Sequence, residues 1–314
     1  MSMRILILGA GATGGYFGAL LAKAGVDVTF LVRPTRRGQL QRDGLAIKSH
    51  LGDVATPVKA ITREEISGTY DAIVLSSKAY GLADAIETIR PAVGDKTLIL
   101  PLLNGMRHLD DLDRAFGAEH VLGGTCHISV VLDADGTIRH LSPFASLTQG
   151  PRTAAQREGA ARLQQDLERG GFEARFSSDV IGTMWEKWFF LATLAASTCL
   201  MRASVGEIVR TDEGKRLISS MLAECSAVAA ACGHPPSPAA QEGARATLTD
   251  RQSNISASML RDIQRGGEIE SDHIVGDLIR RGREQGVPTP LLDVAYVHLQ
   301  AYQNRFKGAS ETAV

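Results

Sequence analysis

Residues Arg4–Gly14 read RILILGAGATG, and the fold follows from how that stretch is parsed. Arg4–Leu8 is an aliphatic run of strand length, and Gly9-Ala10-Gly11-Ala12-Thr13-Gly14 spells GxGxxG. A strand that runs straight into this pattern, with a helix behind it, is the signature of a dinucleotide turn. Gly9 permits the tight turn, Gly11 lets backbone approach a pyrophosphate, and Gly14 lets helix and strand close on each other. The N–H groups that open the helix, from Ala12 and Thr13 onward, then face the phosphates. A glycine turn with no ligand is the plainer reading. The strand before it and the helix Tyr16–Ala24 after it, stopped by Gly25, favour the ligand.

Further along, Val28–Val32, Ala72–Ser76 and Thr97–Leu100 are short β-branched or aliphatic runs, with a helical pattern over Gly81–Arg90 between the last two. Strand–helix–strand spacing of this kind predicts a mostly parallel, doubly wound α/β sheet. GGTCHISVVL (123–132), the turn pair Asp135-Gly136 and TIRHL predict extra strands that close this domain. Ala154–Arg169 reads as an amphipathic helix and GGFEARFS as a last strand. After the N-cap cluster Ser177-Ser178-Asp179 strand signals stop. Met184–Met201, Thr211–Cys232, Ser256–Arg265, Ser271–Gln285 and Leu291–Asn304 read as helices, with Gly308–Val314 as a frayed tail. The expected organisation is an α/β domain over 1–176 and an all-α domain over 177–314.

The chain of 314 residues is long enough for two domains. At 44% hydrophobic and 22% charged residues it has a globular composition, and a net charge of −1 gives no electrostatic case for nucleic acid or an anionic membrane as partner. Cys126, Cys199, Cys225 and Cys232 show no CxxC pair and no ligand spacing, which fits a reduced, cytoplasmic setting. No signal-peptide pattern opens the sequence. His108, His127, His140 and His273 lack metal-ligand spacing, so no metal is expected. The run His108–Asp113 reads as a solvated helix start.

The residue that ends the second strand bears on the choice of cofactor. An NAD site would place a carboxylate there for the ribose diol. Here stands Arg33, followed by Pro34, Thr35, Arg36 and Arg37. A guanidinium can grip a 2′-phosphate with two hydrogen bonds, so NADP is favoured. A solvated basic loop accounts for Arg36 and Arg37 but less readily for Arg33. Lys78 and Asn104 follow the third and fourth main strands, where ligands of open α/β sheets bind. Lys78 could neutralise cofactor phosphates and Asn104 could touch cofactor or substrate; both also suit ordinary loop chemistry.

In the second half, Lys187 opens an apolar stretch, Trp188–Met201, whose fourteen residues fall short of a bilayer span. Its ammonium either snorkels to water or sits where its charge is used. The same apolar helix is a candidate for a homodimer interface or for packing within its domain.

Taken in order, ILGAGATG, SSKAYGLADAI, LLNGM, GTCHIS, MWEKW, VGEIV and SASMLRDIQRGGEIESDHIVGDLIRRG resemble the ketopantoate reductase family over nearly the whole chain. The resemblance implies an NADP-binding Rossmann domain joined to a helical domain, catalysis in the cleft between them, and NADPH-dependent reduction of a 2-keto acid, the ketopantoate step of pantothenate synthesis. By position, Lys187 matches the catalytic lysine, Ser258 a serine that binds substrate, and Glu270 a glutamate near substrate and nicotinamide. Asn104 and Lys78 match cofactor or substrate contacts, and Ser129 lies where backbone approaches the nicotinamide. Family members usually carry asparagines where this chain has Leu191, Ala195 and Val205; Thr193, Ser197 or Ser204 could compensate. A reductase for a more apolar 2-keto acid and a non-catalytic NADP-binding sensor are the competing readings.

Overall fold

The computed structural model describes residues 2–311 of the chain, and side chains as far as 308. The first compact unit holds the residues up to Leu103 together with His108–Ile181. Its strands are β1 (Ile5–Leu8), β2 (Val28–Leu31), β3 (Leu45–Lys48), β4 (Val54–Thr56), β5 (Lys59–Ile61), β6 (Ala72–Leu75), β7 (Leu98–Pro101), β8 (Gly123–His127), β9 (Val130–Leu132), β10 (Ile138–His140), β11 (Ser146–Gly150) and β12 (Glu173–Phe176). Its helices are α1 (Ala12–Lys23), α2 (Pro34–Asp43), α3 (Leu82–Ile89), α4 (Arg107–Phe116) and α5 (Arg157–Glu168).

Five strands form a parallel sheet in the order β5-β2-β1-β6-β7. The chain lays β2 and β5 on one side of β1 and then crosses over to place β6 and β7 on the other. The order therefore reverses between β1 and β6, where Ile5 pairs with Ala72 and Leu8 with Leu75. Ligands of such sheets bind outside the carboxyl ends of the strands at that reversal. Strands β2, β6 and β7 are buried at every position, as expected where helices cover both faces. Phe17 and Leu21 of α1 share the core with Ile5, Ile7 and Phe30.

The remaining strands form two small sheets, β4-β3-β10-β9 and β12-β11-β8. The run GGTCHISVVL supplies two of the expected extra strands, because β8 pairs with β11 while β9 pairs with β10 in the other sheet. Between them the chain turns a corner at Ser129, whose N–H donates to Ser142 Oγ (2.9 Å) and whose carbonyl accepts from Leu141 N–H (2.8 Å). The hairpin expected at Asp135-Gly136 is present between β9 and β10. Strands β3, β4 and β5 and helix α2 carry too little hydrophobic periodicity to read from sequence. The helix begun by His108 is not simply solvated: in α4, His108, Leu109 and Leu112 are buried.

The second unit comprises Asn104–Arg107 and the chain from Gly182 onward. Its helices are α6 (Val180–Met201), α7 (Val205–Val209), α8 (Gly214–Ala231), α9 (Pro238–Leu248), α10 (Ser258–Gln264), α11 (Asp277–Glu284) and α12 (Pro290–Glu311). Helices α7 and α9 were not legible in the sequence. The division falls at Ile181–Gly182, a few residues after the expected one. The reason is Val180, whose side chain fills the space left by Gly123 and Gly150; a Cβ on either glycine would lie 2.4 Å or 3.0 Å from it. Ser271–Gln285 is not one α-helix but a π-helical turn, Asp272–Gly276, continued by α11. Helix α12 runs on to Glu311, through most of the expected tail, and residues 312–314 lie outside the described residues. No helix among the described residues is long and apolar enough to cross a membrane.

Candidate active site

The glycine turn joins β1 to α1. Gly9 has φ +87°, and its N–H donates to Leu31 O of β2 (2.9 Å). A Cβ on Gly14 would lie 2.2 Å from Ser76 Oγ, so only glycine lets the first turn of α1 lie against the end of β6. Gly11 caps α1 without a side-chain hydrogen bond, and no acidic residue stands in the first turn. The opening N–H groups of α1 and the positive end of its dipole are thus left to an anion. These features fit a dinucleotide pyrophosphate, with Gly9, Gly11 and Gly14 as the cradle and Ala10, Ala12 and Thr13 as its backbone. Lys78 is half-buried just beyond β6, on the other side of the topological reversal from the glycine turn.

The three arginines after β2 have separate fates. Arg33 caps α2, is exposed, and is followed by Pro34 at the first helical position. Arg37 is ion-paired with Glu65 at 2.6 Å. Arg36 is half-buried, with Nη2 at 3.2 Å from both Ala10 O and Gly136 O and Nη1 bonded to Gln39. The solvated-loop expectation for Arg36 and Arg37 is therefore corrected: both are engaged with the protein. Burial lowers the Arg36 pKa from its ordinary value.

Within the helical unit, Lys187 is half-buried on α6, between Glu186, whose carboxylate accepts from Ser237 N–H (3.0 Å), and Trp188. Trp188 is fully buried and its Nε1–H donates to Ile274 O in the π-helical turn (2.9 Å). Glu270, 8% exposed, stands just before that turn and its carbonyl accepts from Ile274 N–H. Asn104, half-buried, reaches the same place from the other direction. Its neighbour Gly105 has φ +82°, and a Cβ there would lie 2.5 Å from His273 O and 3.7 Å from Trp188 Nε1. The segments that carry Asn104, Lys187 and Glu270 thus meet at Trp188, by way of Gly105, Trp188 itself and Ile274. A π turn costs regular hydrogen bonding and is frequent at functional sites. Here Tyr296 supports it, donating to Asp272 at 2.8 Å; burial first, then the bond to and charge of Asp272, push this phenol up to about 12. Sequence reasoning missed the Tyr296–Asp272 pair, which no local pattern announces.

Ser258 is exposed at the first position of α10, and the adjacent Ala257 N–H is fastened to Thr198 Oγ1 (3.3 Å) in the C-terminal half of α6. Of the positions where asparagine was expected, Leu191 is half-buried, while Ala195 and Val205 are 2% and 0% exposed. The suggested substitutes are otherwise engaged. Thr193 Oγ1 donates to Phe189 O (2.8 Å), Ser197 Oγ to Thr193 O (2.7 Å), and Ser204 Oγ to Glu207 in a capping box (2.7 Å). Of the three positions where asparagine was expected only Leu191 is left partly open, and its side chain is apolar.

A glycine cradle at a sheet reversal is the mark of dinucleotide-binding domains, the class to which the nicotinamide-dependent oxidoreductases belong. Residues 5–153 match the family described as "Ketopantoate reductase PanE/ApbA", and residues 179–303 match its C-terminal domain, so the chain belongs to the ketopantoate reductase family. It is 35% identical, over 96% of its length and 99% of the relative's, to the "Uncharacterized oxidoreductase YkpB" of Bacillus subtilis (strain 168). It is 27% identical to the 2-dehydropantoate 2-reductase of Mesorhizobium japonicum, over 93% of this chain and 95% of that one. In fold it resembles D-mandelate dehydrogenase, solved with NADH and anilino(oxo)acetate: TM-score 0.87, 23% identity, 97% of this chain and all (100%) of that one. The chain is an NAD(P)-dependent oxidoreductase.

Proposed function

We propose that this protein reduces the carbonyl of a 2-keto acid to a 2-hydroxy acid with NADPH, and that ketopantoate is the first substrate to try. The observation that supports the reading is the meeting, at Trp188, of the segments that carry Asn104, Lys187 and Glu270, among them a half-buried cation and a buried carboxylate. Bound NADPH supplies the hydride. Addition to a ketone leaves negative charge on oxygen, so a cation or a proton has to be supplied there. Lys187 is the group of this chain that can supply both. On this reading Glu270 balances the lysine charge or accepts a hydrogen bond from a substrate hydroxyl. Arg33, exposed at the end of β2, is the candidate for a 2′-phosphate, which supports NADPH over NADH. Ser258 offers a hydroxyl for the substrate, and at the Ser129 corner, where the N–H is already bonded to Ser142 Oγ, only the second lone pair of the carbonyl is left for a nicotinamide amide.

A second reading within the same chemistry is favoured by Leu191, which is partly open and apolar, and by the hydroxyls of Thr193, Ser197 and Ser204, which are taken up internally. On that reading the substrate is a bulkier, more apolar 2-keto acid. Rates of NADPH oxidation with ketopantoate and with branched aliphatic and aryl 2-keto acids separate the two. A kcat/KM highest for ketopantoate supports the first and one highest for an apolar acid supports the second. Tight NADPH binding with no turnover of any 2-keto acid overturns both and leaves a dinucleotide sensor.

A further inference from the structure

The mechanism leaves Arg36 unused, although the fold holds it with care. It stands in the first turn of α2, and its Nη2 lies 3.2 Å from Ala10 O, inside the glycine turn. The same nitrogen lies 3.2 Å from Gly136 O at the tip of the β9–β10 hairpin, and Nη1 is bonded to Gln39 Oε1 (2.5 Å). Gln39 completes the clamp by donating from Nε2 to Asp135 O at 2.6 Å. Gly136 has φ +88°, and a Cβ on it would lie 2.3 Å from Gln39 Nε2 and 2.4 Å from Arg36 Nη1. The hairpin tip is therefore glycine because two side chains of α2 press against it. The Arg36 Nε–H is buried with no hydrogen-bond partner, a cost accepted for the sake of the other nitrogens.

We propose that Arg36 is a positioning residue for dinucleotide binding, setting the Ala10–Gly11 peptide of the glycine turn from behind. The peptide unit is planar and trans, so its carbonyl and the following N–H point in opposite directions. With Ala10 O held on Arg36, the Gly11 N–H is turned to the opposite side, toward a pyrophosphate at the N-terminus of α1. Gly9 N–H is already fixed on Leu31 O and Gly15 N–H on Gly11 O (2.8 Å), and of the two peptide planes between these anchors Arg36 immobilises the second, Ala10–Gly11. The turn is preorganised before ligand arrives, which lowers the ordering cost of binding. Because the effect falls on the pyrophosphate that every such dinucleotide shares, Arg36 acts on affinity and not on the choice between NADPH and NADH. This rests on the dinucleotide part of the proposed function and not on the keto acid.

The test is fluorescence titration of the full chain with NADPH, NADH and ADP-ribose. Arg36→Gln is expected to weaken all three about tenfold, the loss of a charge-assisted bond, with their ratios unchanged. Arg36→Lys keeps the charge without the planar fork and is expected to follow Arg36→Gln. Gly136→Ala keeps the guanidinium but displaces it, and is expected to give the same pattern. In turnover the three variants raise the cofactor KM while kcat at saturating NADPH stays near the parent value. Arg33→Gln, as the contrast, weakens NADPH alone. A selective loss of NADPH in Arg36→Gln overturns the proposal, since Arg36 is then a 2′-phosphate ligand. So does parental affinity in Arg36→Gln or in Arg36→Lys, the second because charge alone then suffices. A parent chain that binds no dinucleotide sinks this and the reductase reading together, whereas binding without keto-acid turnover sinks only the latter.

Discussion

The glycine turn and the lysine turn do their work by opposite means. The first is mostly backbone: Gly9, Gly11 and Gly14 contribute by lacking side chains, and their partners lie at the ends of neighbouring strands. The second is mostly side chain, with Lys187 oriented by a helix whose setting depends on Trp188, Ile274 and Gly105 from separate parts of the unit. A site made by leaving atoms out is written in a short motif. A site made by packing is spread over the chain, and no short motif writes it.

The sharpest break of that comparison is Lys187→Met, which should lower kcat/KM on the order of 10²–10⁴-fold while leaving the NADPH Kd nearly unchanged. If dinucleotide affinity collapses as well, the two turns are not separable in function.

Gly14→Val is the mirror experiment. A Cβ only 2.2 Å from Ser76 Oγ forces α1 off β6 and should abolish measurable dinucleotide binding, with about 1–3 kcal/mol of stability lost to overpacking. Retained NADPH binding in titration would show that the cradle is more plastic than its geometry implies.

Support for the lysine turn can be tested at Asp277, whose fully buried carboxylate accepts from Arg280 and from Arg281 Nε (2.9 Å). Arg281 in turn lies over the rings of Trp185 and Trp188 at 6.0 Å and 5.8 Å. Asp277→Ala should cost about 3 kcal/mol in urea unfolding, because it strands a partly buried arginine, and should depress kcat more than the NADPH Kd. Equal damage to both parameters would argue for general loosening.

A smaller effect is expected from restoring polarity. Leu191→Asn, at a half-buried position, should shift kcat/KM toward ketopantoate relative to an apolar 2-keto acid by about tenfold. The same change at Ala195 is expected to cost stability, since its surroundings are dry.

The mildest prediction concerns the first unit. His140 accepts from Ser49 Oγ at Nδ1 (2.9 Å) and faces Phe144 O with Nε2 (3.1 Å), so the neutral ring is the one that fits, with the proton on Nε2. Burial holds its pKa below the ordinary value, against a smaller opposing effect of the Phe144 carbonyl; the nearby His50 also lowers it. The unfolded chain then takes up the proton first. Stability is full above roughly pH 6.5, the unfolded value, and declines as pH falls below it toward the folded pKa. His298 on α12 is shifted in the same direction, also chiefly by burial. His140→Gln should reduce the pH slope of urea stability between about pH 7.5 and 5.5 without removing it. An unchanged slope would assign it elsewhere.

Much of the fold was legible because the decisive signals are local. RILIL followed by GAGATG fixes strand, turn and helix within one short stretch, and the fully apolar AIVL of β6 reads as a buried parallel strand by itself. Strands β3–β5 were not legible, since their three or four residues draw stability from neighbours distant in sequence. The break at Ser129 was hidden because the sequence on both sides suits a strand equally well. Lys187, Glu270 and Asn104 could be named from sequence by resemblance, but not that Trp188 lies where the segments carrying them meet.

By itself, then, the sequence determined the dinucleotide turn and the division into an α/β and a helical part. These depend on periodicity and glycine placement, which act over a few residues. Only the tertiary structure decided that Arg36 backs the glycine turn, that Asn104–Arg107 belongs with the helices, and that the hydroxyls of Thr193, Ser197 and Ser204 are already taken. Each of those depends on which atoms lie within hydrogen-bond reach once the chain has closed on itself, and a one-dimensional pattern does not carry that.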